Sequence, residues 1–323
     1  MKISFTSVGR RVELMQAFRS AADKLDMDLT IVGADISPSA PALQFCDKTE
    51  IVCRISDSKY IPSLLAICES ENIDCLIPTI DTDLLLLSEN KDRFEQIGTK
   101  VLISITEKVK ICRDKNYTAD YFISLGLKSP RPFNSVEKYE AELTLGRQSF
   151  PAFIKPKDGS SSINAYRVDT LDDLKLYAEK IGDYIIQPFI SGKEYTIDIF
   201  CDYEGNPVYI TPRERIAVRA GEVLKTQIIQ DEVMIAEMKT LVADYQPCGQ
   251  ITVQLIQDEK TGDNYYIEIN PRFGGGAPLS IKAGADSAEA VLKMLNGEKL
   301  TYQHKAARDG AIYCRFDQSV CVN

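Results

Sequence analysis

The stretch Asn264 to Gly276 reads Asn-Tyr-Tyr-Ile-Glu-Ile-Asn-Pro-Arg-Phe-Gly-Gly-Gly. Tyr265, Ile267 and Ile269 alternate with Tyr266, Glu268 and Asn270, the period of two of a β-strand. Glu268 and Asn270 therefore point to one face. Two oxygen ligands side by side on a rigid strand suit Mg²⁺, which takes carboxylate and carbonyl oxygens around a bound phosphate. Pro271 ends the strand because it cannot donate to the ladder. Arg272 then emerges beside the oxygen pair. Gly274, Gly275 and Gly276 let backbone N–H groups approach an anion closely. A Glu-x-Asn pair alone reads as a polar strand edge before a loop; the arginine and three glycines shift the reading to a phosphate site.

The neighbouring strands add polar groups. Gly249 to Ile256 carries Gln254. Val208 to Arg215 carries Arg213 and Arg215, two apart and so on one face, a pair suited to gripping carboxylate or phosphate. An ion pair with Glu214 or Glu222 is the plainer alternative. Glu194 opens an alternating strand opposite Tyr195, Ile197 and Ile199. Phe150 to Lys155 reads as a strand ending in Lys155. The loop after it, with Gly159, Ser160, Ser161 and Ser162, offers N–H and hydroxyl donors. It lacks the G-x-x-x-x-G-K-[ST] of a P-loop. Tyr184 to Gln187 is a strand that runs into Pro188, Phe189 and Ile190. Lys115 sits at the start of a helix.

The first third alternates strand and helix. Strands are expected at Ile3–Thr6, Leu29–Gly33, Glu50–Cys53, Ile73–Pro78 and Val101–Ser104, with helices from Val12, over Ile61–Ser70 and over Leu84–Phe94. That alternation implies a parallel sheet of roughly one hundred residues. Ligands on such sheets sit beyond the carboxyl ends of the strands, where Ser7, Gly9, Arg10, Asp35 and Asp81 fall. The two aspartates serve equally well as helix caps.

Composition sets the outer limits. The 323 residues, with 44% hydrophobic and 26% charged, describe an ordinary globular chain. No apolar run approaches a membrane span. The N-terminus enters a strand without a signal-peptide core, which implies a cytoplasmic protein. A net charge of −9 argues against nucleic acid as partner. The nine cysteines contain no C-x-x-C pair and read as reduced thiols. His304 is the only histidine and lies in a polar segment, which excludes Ser-His-Asp and Cys-His hydrolases.

Glu268-Ile-Asn-Pro-Arg272 resembles the metal-binding strand of the ATP-grasp superfamily, above all the ATP-grasp units of the carbamoyl-phosphate synthetase large subunit. Gln254, Glu268 and Asn270 match the metal set of those units in order. The resemblance implies an α/β fold, with α+β character in the C-terminal part: a Rossmann-like pre-ATP-grasp domain over residues 1–105, a small lid over 106–185, and a C-terminal antiparallel-sheet domain over 186–323. It implies ATP and Mg²⁺ or Mn²⁺ as cofactors. ATP would be held by Lys115, Lys155, the loop Gly159–Ser162, the adenine hinge Gln187, Pro188, Phe189 and Ile190, and Glu194 at the ribose. The family often has glutamate where Gln187 stands. Arg272 with Lys155, Arg213 and Arg215 would carry the chemistry. Ser7, Gly9, Arg10, Asp81 and Gly274 to Gly276 would face substrate.

The implied activity is ligation of a small-molecule carboxylate to an amine through an acyl phosphate, with no nucleic-acid or membrane partner. A homodimer is one arrangement open to it. The alternatives are phosphorylation of bicarbonate or carbamate, and a non-catalytic ATP-binding regulator. Residues 311–316 and 319–322 are expected to form a closing hairpin without assigned chemistry.

Overall fold

The computed structural model describes residues 1–157 and 164–322. The first five strands are β1 (Lys2–Thr6), β2 (Thr30–Asp35), β3 (Lys48–Ile51), β4 (Cys75–Pro78) and β5 (Lys100–Val101). They pair in parallel in the order β3-β2-β1-β4-β5. The order reverses between β1 and β4. There the connections leave toward opposite faces and open a crevice at the carboxyl ends, the place where such sheets bind ligands.

The turn after β1 is tight. Ser7 and Gly9 both take positive φ, +53° and +46°. Asp35, at the end of β2, accepts from the N–H of Gly9 at 2.8 Å and of Ser37 at 2.9 Å. It therefore braces the turn. The helix expected over Leu84–Phe94 is two helices, Leu84–Glu89 and Lys91–Gln96, broken at Asn90. The Asn90 side chain donates to the Leu86 carbonyl at 2.8 Å, a side-chain bond that competes with helix continuation.

A three-stranded antiparallel sheet follows, of β6 (Ala152–Pro156), β7 (Tyr166–Val168) and β8 (Tyr184–Pro188), in the order β7-β6-β8. Helices Val136–Thr144 and Leu171–Ile181 cover it around Tyr139, Ile154, Leu174 and Ile186. Ser135 and Thr170 cap these helices with their hydroxyls.

The third sheet holds β9 (Gly192–Cys201), β10 (Pro207–Arg219), β11 (Glu222–Ile228), β12 (Gly249–Asp258), β13 (Asn264–Asn270) and β14 (Ile312–Cys314). Its order is β13-β12-β9-β10-β11-β14, all antiparallel. Helix Glu232–Tyr245 packs Met234, Met238 and Leu241 on Ile197, Ile199, Ile251 and Val253. The expected closing hairpin is not formed. Only Ile312–Cys314 is a strand, paired with β11, and residues 319–322 are exposed without strand structure. Val320 and Val322 meet no apolar surface that would bury them. Among the described residues no helix is long and apolar enough to cross a membrane, and all nine cysteines are free.

The parallel sheet and the six-stranded sheet share one core. Ile3 and Phe5 of the first, with Phe18 of helix Val12–Lys24, join Phe200, Val208 and Ile228 of the second and Phe273 just beyond β13. Phe18 meets Phe5 and Phe273 edge-on, with ring centroids 5.0 and 5.9 Å apart. Phe273 directly follows Arg272, so apolar packing sets where that arginine leaves the sheet. Phe273→Ala should cost about 3–5 kcal/mol of unfolding free energy through the cavity it leaves. Urea denaturation measures this, and a loss below about 1 kcal/mol would show that the ring is not a structural anchor.

Candidate functional site

A cleft of about 760 Å³ opens between the carboxyl ends of β1 and β4 and the β12–β13 face. Its lining includes Arg11, Asp81, Lys115, Thr196, Arg213, Arg215, Glu222, Thr252, Gln254, Glu268, Asn270, Arg272 and Gly274 to Gly276. The sequence-expected residues of this set come from five separate segments of the chain.

Strand register assembles the oxygen ligands. Gln254 of β12 lies opposite Glu268 of β13, and Thr252 opposite Asn270. The Asn270 amide donates to Glu268 at 2.9 Å. This set offers one carboxylate and two amide oxygens. Among the described residues no group of three His, Cys, Asp or Glu could hold a metal. A hard divalent cation fits the set only if further oxygens come from elsewhere, such as phosphate.

Arg272 Nη2 touches both Asn270 Oδ1, at 3.2 Å, and Asp81 Oδ2, at 2.6 Å. Its Nε is buried without a partner. Lys115 Nζ donates to the Lys157 carbonyl at 2.7 Å. Burial pushes the Lys155 ammonium down to about 8; Glu268 pulls it up and Lys115 pushes it down further. The two lysines and Glu268 thus form one electrostatic group.

Arg213 is 2% exposed and forms no pair with Glu214 or Glu222. Its Nε donates to Asp198 Oδ2 at 2.8 Å. Asp198 also accepts from Ser280 Oγ at 2.6 Å and Thr252 Oγ1 at 3.1 Å. Nη1 of Arg213 is buried and unpartnered. A Cβ on Gly276 would stand 2.5 Å from Nη2, so only glycine lets the guanidinium lie there. Arg215 pairs with Glu194 at 3.3 Å and donates to the Gly221 carbonyl at 3.1 Å.

Other expected residues lie differently. The Gln187 side chain is buried and donates to the Pro130 carbonyl at 2.7 Å, so its amide is tied to the protein's own backbone. Pro188 ends β8 opposite Ala152, and the Phe189 N–H donates to the Pro151 carbonyl at 3.2 Å. The Phe189 ring carries the Arg167 guanidinium at 4.9 Å. Ile190 is partly buried just beyond the strand. Gly159, Ser160, Ser161 and Ser162 lie outside the described residues. Ser7 and Gly9 shape the turn after β1. Arg10 is exposed, and it is Arg11 that lines the cleft. Sequence reasoning also missed Asp198 and Thr252, and named Glu222 only as an ion-pair partner for Arg213 or Arg215. Asp198 was within reach: it shares the strand face of Glu194 and Thr196, opposite the apolar residues.

Two family models match parts of the chain. Residues 3–102 match a family described as the PylC-like N-terminal domain. Residues 180–316 match one described as ATP-grasp in the biosynthetic pathway with Ter operon. The chain is similar to carbamoyl-phosphate synthase of Methanobrevibacter smithii, with 28% identity over 173 residues, 53% of this chain and 45% of that protein. It is similar to D-alanine–D-alanine ligase of Francisella tularensis, with 27% identity over 192 residues, 56% of this chain and 64% of that one. The chain thus spans about half to two thirds of the length of these curated relatives. In fold it resembles the biotin carboxylase domain of Hydrogenobacter thermophilus 2-oxoglutarate carboxylase, solved with MgADP, ADP and bicarbonate. The TM-score is 0.74 at 16% identity, over 97% of this chain and 74% of that one.

The depressed Lys155 value has a measurable sign. Between about pH 8 and the ordinary lysine value of 10.5, the unfolded chain holds a proton that the folded chain lacks. Stability therefore rises with pH across that window, and the destabilising contribution is fully present below it. Lys155→Met should be more stable than the wild type below pH 8, and that advantage should shrink by pH 10.5. Acylation of Lys155 by acetic anhydride should be half-maximal near pH 8; titration at the ordinary lysine value would contradict the burial argument.

Proposed function

We propose that the chain, whose residues 180–316 match an ATP-grasp family, is an ATP- and Mg²⁺-dependent ligase joining a small carboxylate to an amine. One observation carries the reading: Gln254, Glu268, Asn270 and Arg272 share a cleft with Lys115, and Lys155 feels the charge of both Lys115 and Glu268. One carboxylate and two amides as the oxygen set, with Arg272 and two lysines around them, suit a polyanionic guest with its metal, not a bare metal.

The expected units map onto roles. Residues 106–185 would close over the nucleotide, 186–323 would supply the metal face, and 1–105 would present the second substrate. Lys115 and Lys155 would neutralise phosphate oxygens. Gln254, Glu268 and Asn270 would hold Mg²⁺, which spreads the charge of the β- and γ-phosphates. Pro188 and Ile190 would present a backbone carbonyl and N–H to adenine, and Glu194 would turn from Arg215 to the ribose. The donors of Gly159 to Ser162 would reach the terminal phosphates.

The substrate carboxylate attacks the γ-phosphorus, its O–P bond forms, and ADP leaves. Arg272 would stabilise the transferring phosphoryl group. Arg213, with Nη1 free and Nε fixed by Asp198, would hold the carboxylate and the oxyanion that forms when the amine attacks the acyl carbon. The C–N bond forms, the C–O bond to phosphate breaks, and the amine gives up its proton. No side-chain nucleophile is needed, because the nucleotide supplies the activation.

The likeness to carbamoyl-phosphate synthase favours a second reading, phosphorylation of bicarbonate or carbamate. Both are separated by phosphate release with Mg-ATP across pools of carboxylates and amines. Carboxylate-dependent ADP is expected, with hydroxylamine displacing phosphate from the acyl phosphate to give a hydroxamate, and Glu268→Ala should abolish it with the fold intact. Bicarbonate-dependent turnover indifferent to other carboxylates would select the second reading. Tight ATP binding without turnover in any pool would leave a regulator.

A further inference from the structure

The nucleotide reading leaves the β1–β4 side of the cleft without a ligand. Thr6 and Pro78 are paired at the ends of these strands, so the loops that follow lie side by side. One loop carries Arg11 and the other Asp81. Each reaches across to the six-stranded sheet with opposite polarity: Arg11 Nη1 to Glu222 Oε1 at 3.3 Å, and Asp81 Oδ2 to Arg272 Nη2 at 2.6 Å. Both carboxylates are about half exposed, at 47% for Glu222 and 43% for Asp81, so they face the open cleft.

The Arg11 pair is built to be exchanged. Glu222 is shared, because its second oxygen takes Arg315 Nη1 at 3.0 Å. If Arg11 turned to a guest, Glu222 would still be compensated and no carboxylate would be stranded. Arg11 itself is mostly buried beside two further guanidiniums, Arg272 and Arg315, and burial lowers its pKa from the ordinary value. Such a group demands an anion at all times. Gly275 makes the place reachable: a Cβ there would stand 2.5 Å from Arg11 Nη1 and 2.2 Å from Glu222 Oε2. The backbone next to Arg272 therefore lies against the pair. An anion on Arg11 would sit one loop away from the reacting centre.

Resting on the ligase reading, we propose that the amine substrate is zwitterionic. Its anionic group, carboxylate or phosphate, takes the place of Glu222 on Arg11, and its ammonium faces Asp81. A neutral or purely cationic amine would find Asp81 but leave Arg11 to Glu222, and so would bind weakly.

The test is calorimetric titration of the full chain with and without Mg²⁺ and the non-hydrolysable analogue AMP-PNP. The probes are pools of α-amino acids, O-phosphorylated amino alcohols, and the matching decarboxylated or dephosphorylated amines. Anionic amines should bind at least about tenfold tighter than their stripped counterparts. The pool that binds distinguishes carboxylate from phosphate. Arg11→Ala should erase the preference, Arg11→Lys should restore part of it, and Gly275→Ala should weaken it by pushing two flexible side-chain ends aside. AMP-PNP binding reports that each variant is folded. Equal binding of stripped amines, an unchanged preference in Arg11→Ala, or no binding by any anionic amine would overturn the proposal. An anionic amine that binds through Arg11 while no carboxylate yields ADP would instead overturn the ligase reading alone.

Discussion

The interior of the cleft wall depends on one buried carboxylate, Asp198. It sits on the middle strand of three, β9, and receives donors from β10, β12 and helix Ala277–Ala283. Removing either member of a buried Arg–Asp pair leaves a charge that costs about 3–5 kcal/mol, so each side chain enforces the position of the other. The consequences reach the site. The Thr252 hydroxyl that bonds Asp198 belongs to the residue facing Asn270. The Thr252–Asp198 bond fixes β12 against β9, and a slip of one residue between β12 and β13 would carry Glu268 and Asn270 to the face away from Gln254.

The same carboxylate aims Arg213. With Nε bound and Nη2 against Gly276, the guanidinium keeps Nη1 buried without a partner, in a residue that lines the cleft. Glycine is required at Gly276 because the buried Arg213 guanidinium and Val223 occupy the volume a methyl group would need, and at Gly275 a methyl group would displace the ends of Arg11 and Glu222. The run of glycines after Arg272 is thus a packing feature as much as a flexible loop. The topological reversal between β1 and β4 brings the opposing charges, Arg11 and Asp81, to the other wall.

Much of this was legible in the sequence. Alternation of strand and helix gave the parallel sheet, and the period of two over Asn264–Asn270 put Glu268 and Asn270 on one face. What failed has physical causes. The backbone through Ser7 and Gly9 takes positive φ twice, so no periodicity tells which of Arg10 and Arg11 faces inward. The break at Asn90 comes from one side-chain bond, and Leu84–Phe94 still has a helical pattern. Gln187 is turned away by a carbonyl more than fifty residues earlier in the chain, at Pro130. The closing hairpin was expected over residues 311–316 and 319–322, but Asp317 is tied to Arg219 and the last described residues join no strand. Contacts distant in sequence decided each of these.

The proposed metal site makes one central claim: metal and nucleotide would bind as one. Gln254, Glu268 and Asn270 supply a single negative charge, too little to hold a divalent ion alone, while the cations around them need the phosphates. Electron paramagnetic resonance of Mn²⁺ measures this directly. The account predicts weak Mn²⁺ binding by the protein alone, strong binding once ATP is added, and loss of the ternary signal in Glu268→Gln. Tight Mn²⁺ binding without nucleotide, or a ternary complex unaffected by Glu268→Gln, would contradict it.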